Sequence, residues 1–158
     1  MWALGLLPTL PPYDIKARHD ILMQIPTSDP AAFVSSAKLR DQAELERARS
    51  TAELWHWRSR TRELIERGEA FPSDPELKKA GFRNYDDIVR FSARNAAQKG
   101  SIPPRIGDDF PAKNKAYRDL TSEEWSEVMS ITMERHFTLN WLCGCAADNK
   151  WDETPTDT

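Results

Sequence analysis

Cysteine is almost missing from this chain: only Cys143 and Cys145 occur in 158 residues. Lying one residue apart, they cannot staple a fold, because a bridge between them would close almost no loop. That points to a reduced, cytoplasmic setting. Long apolar runs are missing too. No stretch approaches the ~18 apolar residues of a membrane-spanning helix. The opening Met1-Trp2-Ala3-Leu4-Gly5-Leu6-Leu7 is apolar but has no basic flank, and Pro8 cuts it short of a signal peptide. Charge of one sign is also lacking. A net charge of -3 offers no electrostatic case for nucleic acid or an anionic membrane as partner. The sequence has no glycine-rich phosphate loop, no HExxH helix and no serine in a nucleophile elbow, so no cofactor or metal is expected.

What is present is an ordinary globular composition with a polar lean, 39% hydrophobic and 30% charged. The length suits one domain over residues 1–158, large enough for a real core. Six tryptophans are many for that length. Each buries a large area and wants a partner for its N–H, so an aromatic, polar-edged core is expected.

Prolines and glycines divide the chain. Pro8, Pro11 and Pro12 make a rigid turn. Ile15, Ile21, Leu22 and Ile25 predict a short amphipathic helix over Tyr13 to Ile25, stopped by Pro26. Asp29-Pro30 reads as the next helix start. From Ala31 to Arg67 there is neither proline nor glycine. Val34, Leu45, Ala48, Ala52, Trp55 and Leu64 or Ile65 recur at helical spacings. This predicts one long helix, or two with a bend near Ser35 to Arg40. Gly68 is a natural stop. A loop with at most one short turn follows, and then a helix from Asn84 to about Lys99. Residues 101–120 read as an irregular connector, with room for one minor hairpin turning at Lys113-Asn114. Thr121 and Glu124 form a capping box for the last helix, which Gly144 ends. Its apolar residues occupy more than one face, so it should be central and covered. The expected fold is mostly α: a long central helix packed on a buried C-terminal one.

The last helix carries the candidate chemistry. Thr132, His136, Asn140 and Cys143 share one of its faces. They could grip a substrate or a water. The plainer reading is a buried hydrogen-bond network, since enclosed polar groups usually satisfy one another. Glu134 points about 160° away from His136 around the helix and is no acid–base partner for it. Beyond the helix, Asp148, Asp152, Glu153, Asp157 and the terminal carboxylate form an acidic tail, with Trp151 as an apolar anchor. Its carboxylates could meet His136 in a metal-assisted hydrolytic site built on His136, Asn140 and Asp152. Alternatively they make local turns around Trp151, or dock on Arg58, Arg60, Arg62 or Arg135. Cys143-x-Cys145 lacks the second pair that a zinc site needs. Trp55-His56-Trp57 with Arg58, Arg60 and Arg62 mixes aromatics and positive charge, as single-strand binders do. Glu53, Glu63 and Glu66 interleave with those arginines, which favours a solvated, ion-paired face.

Glu134-Arg135-His136, Leu139-Asn140-Trp141, Trp151-Asp152-Glu153 and Thr156-Asp157-Thr158 together resemble a mostly bacterial family, domain of unknown function 4272. Gly107-Asp108-Asp109-Phe110, Lys115, Tyr117, Leu120, Glu124 and Leu54-Trp55-His56-Trp57 add to the likeness. That family implies no activity. Its members usually carry a further stretch before the Trp-Ala-Leu-Gly segment, so the resemblance implies an N-terminally shortened chain. Trp2, Leu4, Leu6 and Leu7 would then lack their cover and favour self-association. The leading expectation is a small, non-catalytic domain that binds another protein, or itself, as an accessory module. The candidate cluster is Glu134, Arg135, His136, Asn140, Trp141, Trp151, Asp152 and Asp157.

Overall fold

Two long helices carry the architecture of the computed structural model, which describes residues 1–158. The first, α3, spans Gln42–Glu66 and the second, α6, spans Ser122–Leu142; they pack against each other along most of their length. Asp41 caps α3 by accepting from the Glu44 N–H at 2.9 Å. Thr121 and Glu124 close the predicted capping box on α6. Gly68 and Gly144 take the left-handed conformation just past the two helix ends, where a side chain would be strained.

Shorter helices surround this pair. In chain order they are α1 (His19–Leu22), α2 (Pro30–Ser36), α4 (Pro75–Lys79) and α5 (Tyr85–Gln98). Asn84 starts α5 by accepting from the Asp87 N–H, and Val89, Ala93 and Ala96 form its buried face. The minor hairpin is present: β1 (Pro111–Ala112) pairs antiparallel with β2 (Lys115–Ala116). Lys113 and Asn114 turn it with φ of 51° and 61°, the positive pair that a two-residue hairpin turn demands.

Trp55 of α3 sits at the centre of the core. Tyr13 stacks on it at 5.4 Å, Phe110 meets it edge-on at 5.4 Å, and Tyr117 tilts against it. Val128 and Leu139 of α6 belong to the same buried cluster. The long proline-free stretch divides as the second of the two expected arrangements has it. Residues 37–41 separate α2 from α3, so Val34 belongs to α2 and stands 72% exposed.

Two expectations about the N-terminal region fail. The amphipathic helix over Tyr13 to Ile25 shrinks to the single turn of α1, which buries nothing. Tyr13 is committed to the stack on Trp55, and the Asp14 carboxylate accepts from the Lys113 N–H at 2.7 Å. What remains before Pro26 is too short to hold a helix without a surface to pack on. The uncovered apolar opening is likewise absent. Trp2 and Ala3 are buried, and Leu7 packs on the core. Arg40 holds this segment: it donates to the carbonyls of Trp2 and Leu7, and its guanidinium lies 4.9 Å from the centre of the Trp2 ring. Self-association through an exposed Trp2-to-Leu7 patch therefore loses its basis.

Candidate functional site

Buried polar side chains line the contact between α3 and α6. On α3 they are His56 and Ser59 and on α6 they are Thr132, His136 and Asn140, while the buried Arg58 and Thr61 of α3 bond to Asp109 and to the Trp57 carbonyl. Helical spacing explains the arrangement. Ala52, Trp55, His56 and Ser59 fall three and four apart on α3, and Thr132, His136 and Asn140 fall four apart on α6. Buried polar groups must find partners, and here they find one another across the seam.

The first group centres on Ser59. Its hydroxyl lies 2.6 Å from the Tyr117 hydroxyl, 3.0 Å from that of Thr132 and 3.2 Å from the Trp55 carbonyl oxygen. A carbonyl only accepts, so Ser59 donates to Trp55 and the Tyr117 O–H donates to Ser59. Burial pushes the Tyr117 hydroxyl up to about 12, which keeps it protonated as this bond requires.

Beside it lies an enclosed ion pair. Arg58 donates from Nε and Nη2 to the two oxygens of Asp109, both at 2.7 Å. The side chains are 3% and 0% exposed. The backbone N–H groups of Phe110 and Arg118 also donate to Asp109. Burial pushes this carboxyl up, but the Arg58 bond and charge with the two N–H groups outweigh it and hold it below the usual carboxylate range. The remaining Arg58 nitrogen, Nη1, is enclosed without a hydrogen bond, and the guanidinium lies 4.5 Å from the centre of the Tyr117 ring.

The third group is the one that sequence points to. His136 and His56 face each other, Nδ1 to Nδ1, at 3.1 Å. Asn140 Nδ2 lies 2.9 Å from His136 Nε2 and 2.8 Å from the Pro155 carbonyl oxygen. These contacts assign every proton. The Pro155 carbonyl only accepts, so the Asn140 atom facing it is the amide nitrogen. That nitrogen also donates to His136 Nε2, which therefore carries no proton. His136 is the Nδ1–H tautomer and donates to His56 Nδ1, which leaves His56 with its proton on Nε2. His56 Nε2 has no partner in the chain and is not among the fully enclosed unpartnered atoms, so it is the pair's contact with water. Both rings are neutral. Burial, reinforced by His136 and Arg60, lowers His56 to about 4, and burial also lowers His136.

The other candidate residues scatter. Glu134 is exposed and points away. Arg135 donates to the carbonyls of Pro11 and Pro12 and lies over Tyr13, pinning the start of the chain to α6. Trp141 donates to the Asn149 carbonyl oxygen at 2.9 Å. Trp151 packs edge-on against Phe137 and Trp141. Asp152 and Asp157 are exposed, and neither bonds to His136. The expected meeting of His136, Asn140 and Asp152 thus brings only the first two together. No three His, Cys, Asp or Glu side chains converge in ligand-like fashion.

The tail does not dock on arginine. Arg60 and Arg67 pair with Glu63 on the expected ion-paired face, whereas Arg62 pairs with Glu66 but turns inward and donates to the Tyr117 and Leu120 carbonyls. Trp55, His56 and Arg58 leave that face for the interior. His56, Ser59, Asp109 and Tyr117 belong to the buried polar groups around the helix pair, and sequence reasoning had not joined them to His136. The polar positions interleaved with Ala52 and Trp55 on one α3 face were the signal that could have found the first two.

No family model, no curated protein and no solved structure matches this chain. No helix is long and apolar enough to cross a membrane.

Proposed function

We propose that this protein is a non-catalytic interaction or accessory module of the bacterial cytoplasm, and that it engages another protein through residues 15–39. The observation that carries this reading is where apolar surface is left uncovered. Six of the eleven large exposed apolar side chains fall in that segment: Ile15, Leu22, Met23, Ile25, Val34 and Leu39. No residue between 15 and 39 is buried. Large apolar side chains left exposed close together in sequence point to a contact surface. An exposed segment of this kind suits docking in a partner's apolar groove.

The buried polar side chains support the same reading from the other direction. His136, Asn140, Ser59, Tyr117 and Asp109 are all committed to bonds within the chain, and none faces a cleft beside a second catalytic group. The likeness to domain of unknown function 4272 belongs to the same proposal. Trp55, Asp109, Phe110, Tyr117, His136 and Asn140, which carry it, meet in one interior.

The test is photo-crosslinking in cells with a photoreactive residue at Met23 or Val34. A discrete protein adduct that a synthetic peptide of residues 15–39 competes away is the expected result. Crosslinking at Met23 no stronger than at exposed Asp152 would overturn the reading.

A further inference from the structure

We propose that residues 146–158 form a proton-released strap: a proton taken up by the His56–His136 pair is passed as an amide turn of Asn140 to the Pro155 carbonyl, which lets the strap go. This goes beyond the interaction reading and does not depend on it.

Proton counting carries the argument. The pair has four ring nitrogens. His56 Nε2 holds a proton, and the two Nδ1 atoms share one between them at 3.1 Å. The Nδ1–Nδ1 contact has no room for a second proton, so the nitrogen left to take one is His136 Nε2, which accepts from Asn140. A further proton therefore leaves an N–H at His136 Nε2, whichever ring formally carries the charge. That N–H would face the Asn140 NH2 at 2.9 Å, donor against donor. Asn140 relieves the conflict by turning its amide so that Oδ1 accepts from His136. The same turn places Oδ1 opposite the Pro155 carbonyl oxygen, acceptor against acceptor, where a 2.8 Å hydrogen bond stood. The turned NH2 meets Cys145 Sγ, a weak acceptor now 3.9 Å from Oδ1. No covalent bond changes, and the proton comes from water.

The strap is lightly held elsewhere. Beyond Ala146, only Thr154 is buried. Its other ties to α6 are the Trp141 bond to the Asn149 carbonyl and the packing of Trp151 on Phe137 and Trp141. Trp151 itself is 47% exposed. An open surface pocket of about 290 Å³ is lined by Trp151 and Thr156 of the strap with Met133, Glu134 and Phe137 of α6. Release would bare Phe137 and Trp141 on α6.

The charged neighbours do not compete for the role. On α3, Arg49 pairs with Glu53 at 3.2 Å and Arg60 pairs with Glu63, so each cation near the rings is matched by a carboxylate. On the strap, Asp152, Glu153 and Asp157 are exposed and make no bond to either ring. Cys145, beside Asn140, and Cys143 are the titratable groups that the turn after α6 presents.

The experiment is backbone ¹⁵N relaxation on the full chain from about pH 7.5 to about pH 3.5, with the imidazole nitrogens followed in the same samples. Order parameters of Thr154, Thr156 and Asp157 should fall from about 0.85 to below about 0.6. They should fall at the midpoint of ring protonation, while the amides of Trp55 and Thr132 stay rigid. A strap that stays ordered through ring protonation would overturn the proposal, as would one that leaves only with global unfolding. Asn140→Asp supplies a second arm. Its carboxylate accepts from His136 but offers Pro155 no donor, so the strap should be loose at every pH. An ordered strap in that variant also sinks the idea.

Discussion

Asn140 bonds from a single amide nitrogen to His136 at 2.9 Å and to the Pro155 carbonyl at 2.8 Å. One side chain therefore ties the interior of the helix pair to the segment that follows it. Replacing Asn140 by Ala removes both bonds and leaves an enclosed imidazole nitrogen without a donor. The expected loss is about 1–3 kcal/mol, read by urea unfolding. Asp152→Ala, at an exposed position, should stay within about 0.5 kcal/mol. Equal costs for the two substitutions would refute the internal role of Asn140.

Stability should fall as the medium is acidified below about pH 6.5. Burial holds His56 near 4 in the folded chain against 6.5 unfolded, and His136 moves in the same direction. Between those values the unfolded chain binds protons that the folded chain refuses. Unfolding free energy therefore rises with pH through this window, and the contribution is complete above it. Asp109 lies below the usual carboxylate range, so its contribution is lost only at still lower pH. Urea midpoints measured from about pH 7.5 to about pH 4.5 test this. A flat profile between about 6.5 and 4.5 would show that the rings titrate alike in both states.

Asp109→Asn should be among the costliest single changes. It strips charge from a pair that is 3% and 0% exposed and leaves the Arg58 guanidinium unmatched in the interior. Removal of one partner from such a pair costs about 3–5 kcal/mol. A loss under about 1 kcal/mol in chemical denaturation would mean that water reaches the pair.

Tyr117→Phe and Ser59→Ala should each destabilise by about 1–2 kcal/mol, since both lose the 2.6 Å bond between their hydroxyls. Together they should cost less than the sum, because each removes the same contact. The double-mutant cycle should return an interaction energy of about 0.5–3 kcal/mol. Simple additivity would place the hydroxyls out of contact in solution.

Sequence revealed whatever rests on local chemistry. The Thr121–Glu124 box, the Lys113–Asn114 turn and the stops at Gly68 and Gly144 depend on residues at most a few positions apart. The pairing of α3 with α6 was legible too, because each carries a long run without proline or glycine. Periodicity misled over Tyr13 to Ile25. It describes a face, and it cannot say whether a surface waits to receive that face. Ile15 and Leu22 have none and stand 52% and 51% exposed. The polar line on α6 was visible, but its partners were not. His56 lies 80 residues from His136, and Arg58 lies 51 residues from Asp109. Nothing in the spacing of either member announces the other.

Arg135 reaches back 124 residues to the Pro11 carbonyl. The segment around Pro11 therefore cannot settle until α6 has been synthesised. Until then Tyr13 and its neighbours have no roof, and early collapse onto α3 alone leaves aromatic rings open to wrong partners. Closure over so many intervening residues is slow compared with local helix formation. Refolding should accordingly show helical signal well before tryptophan burial is complete.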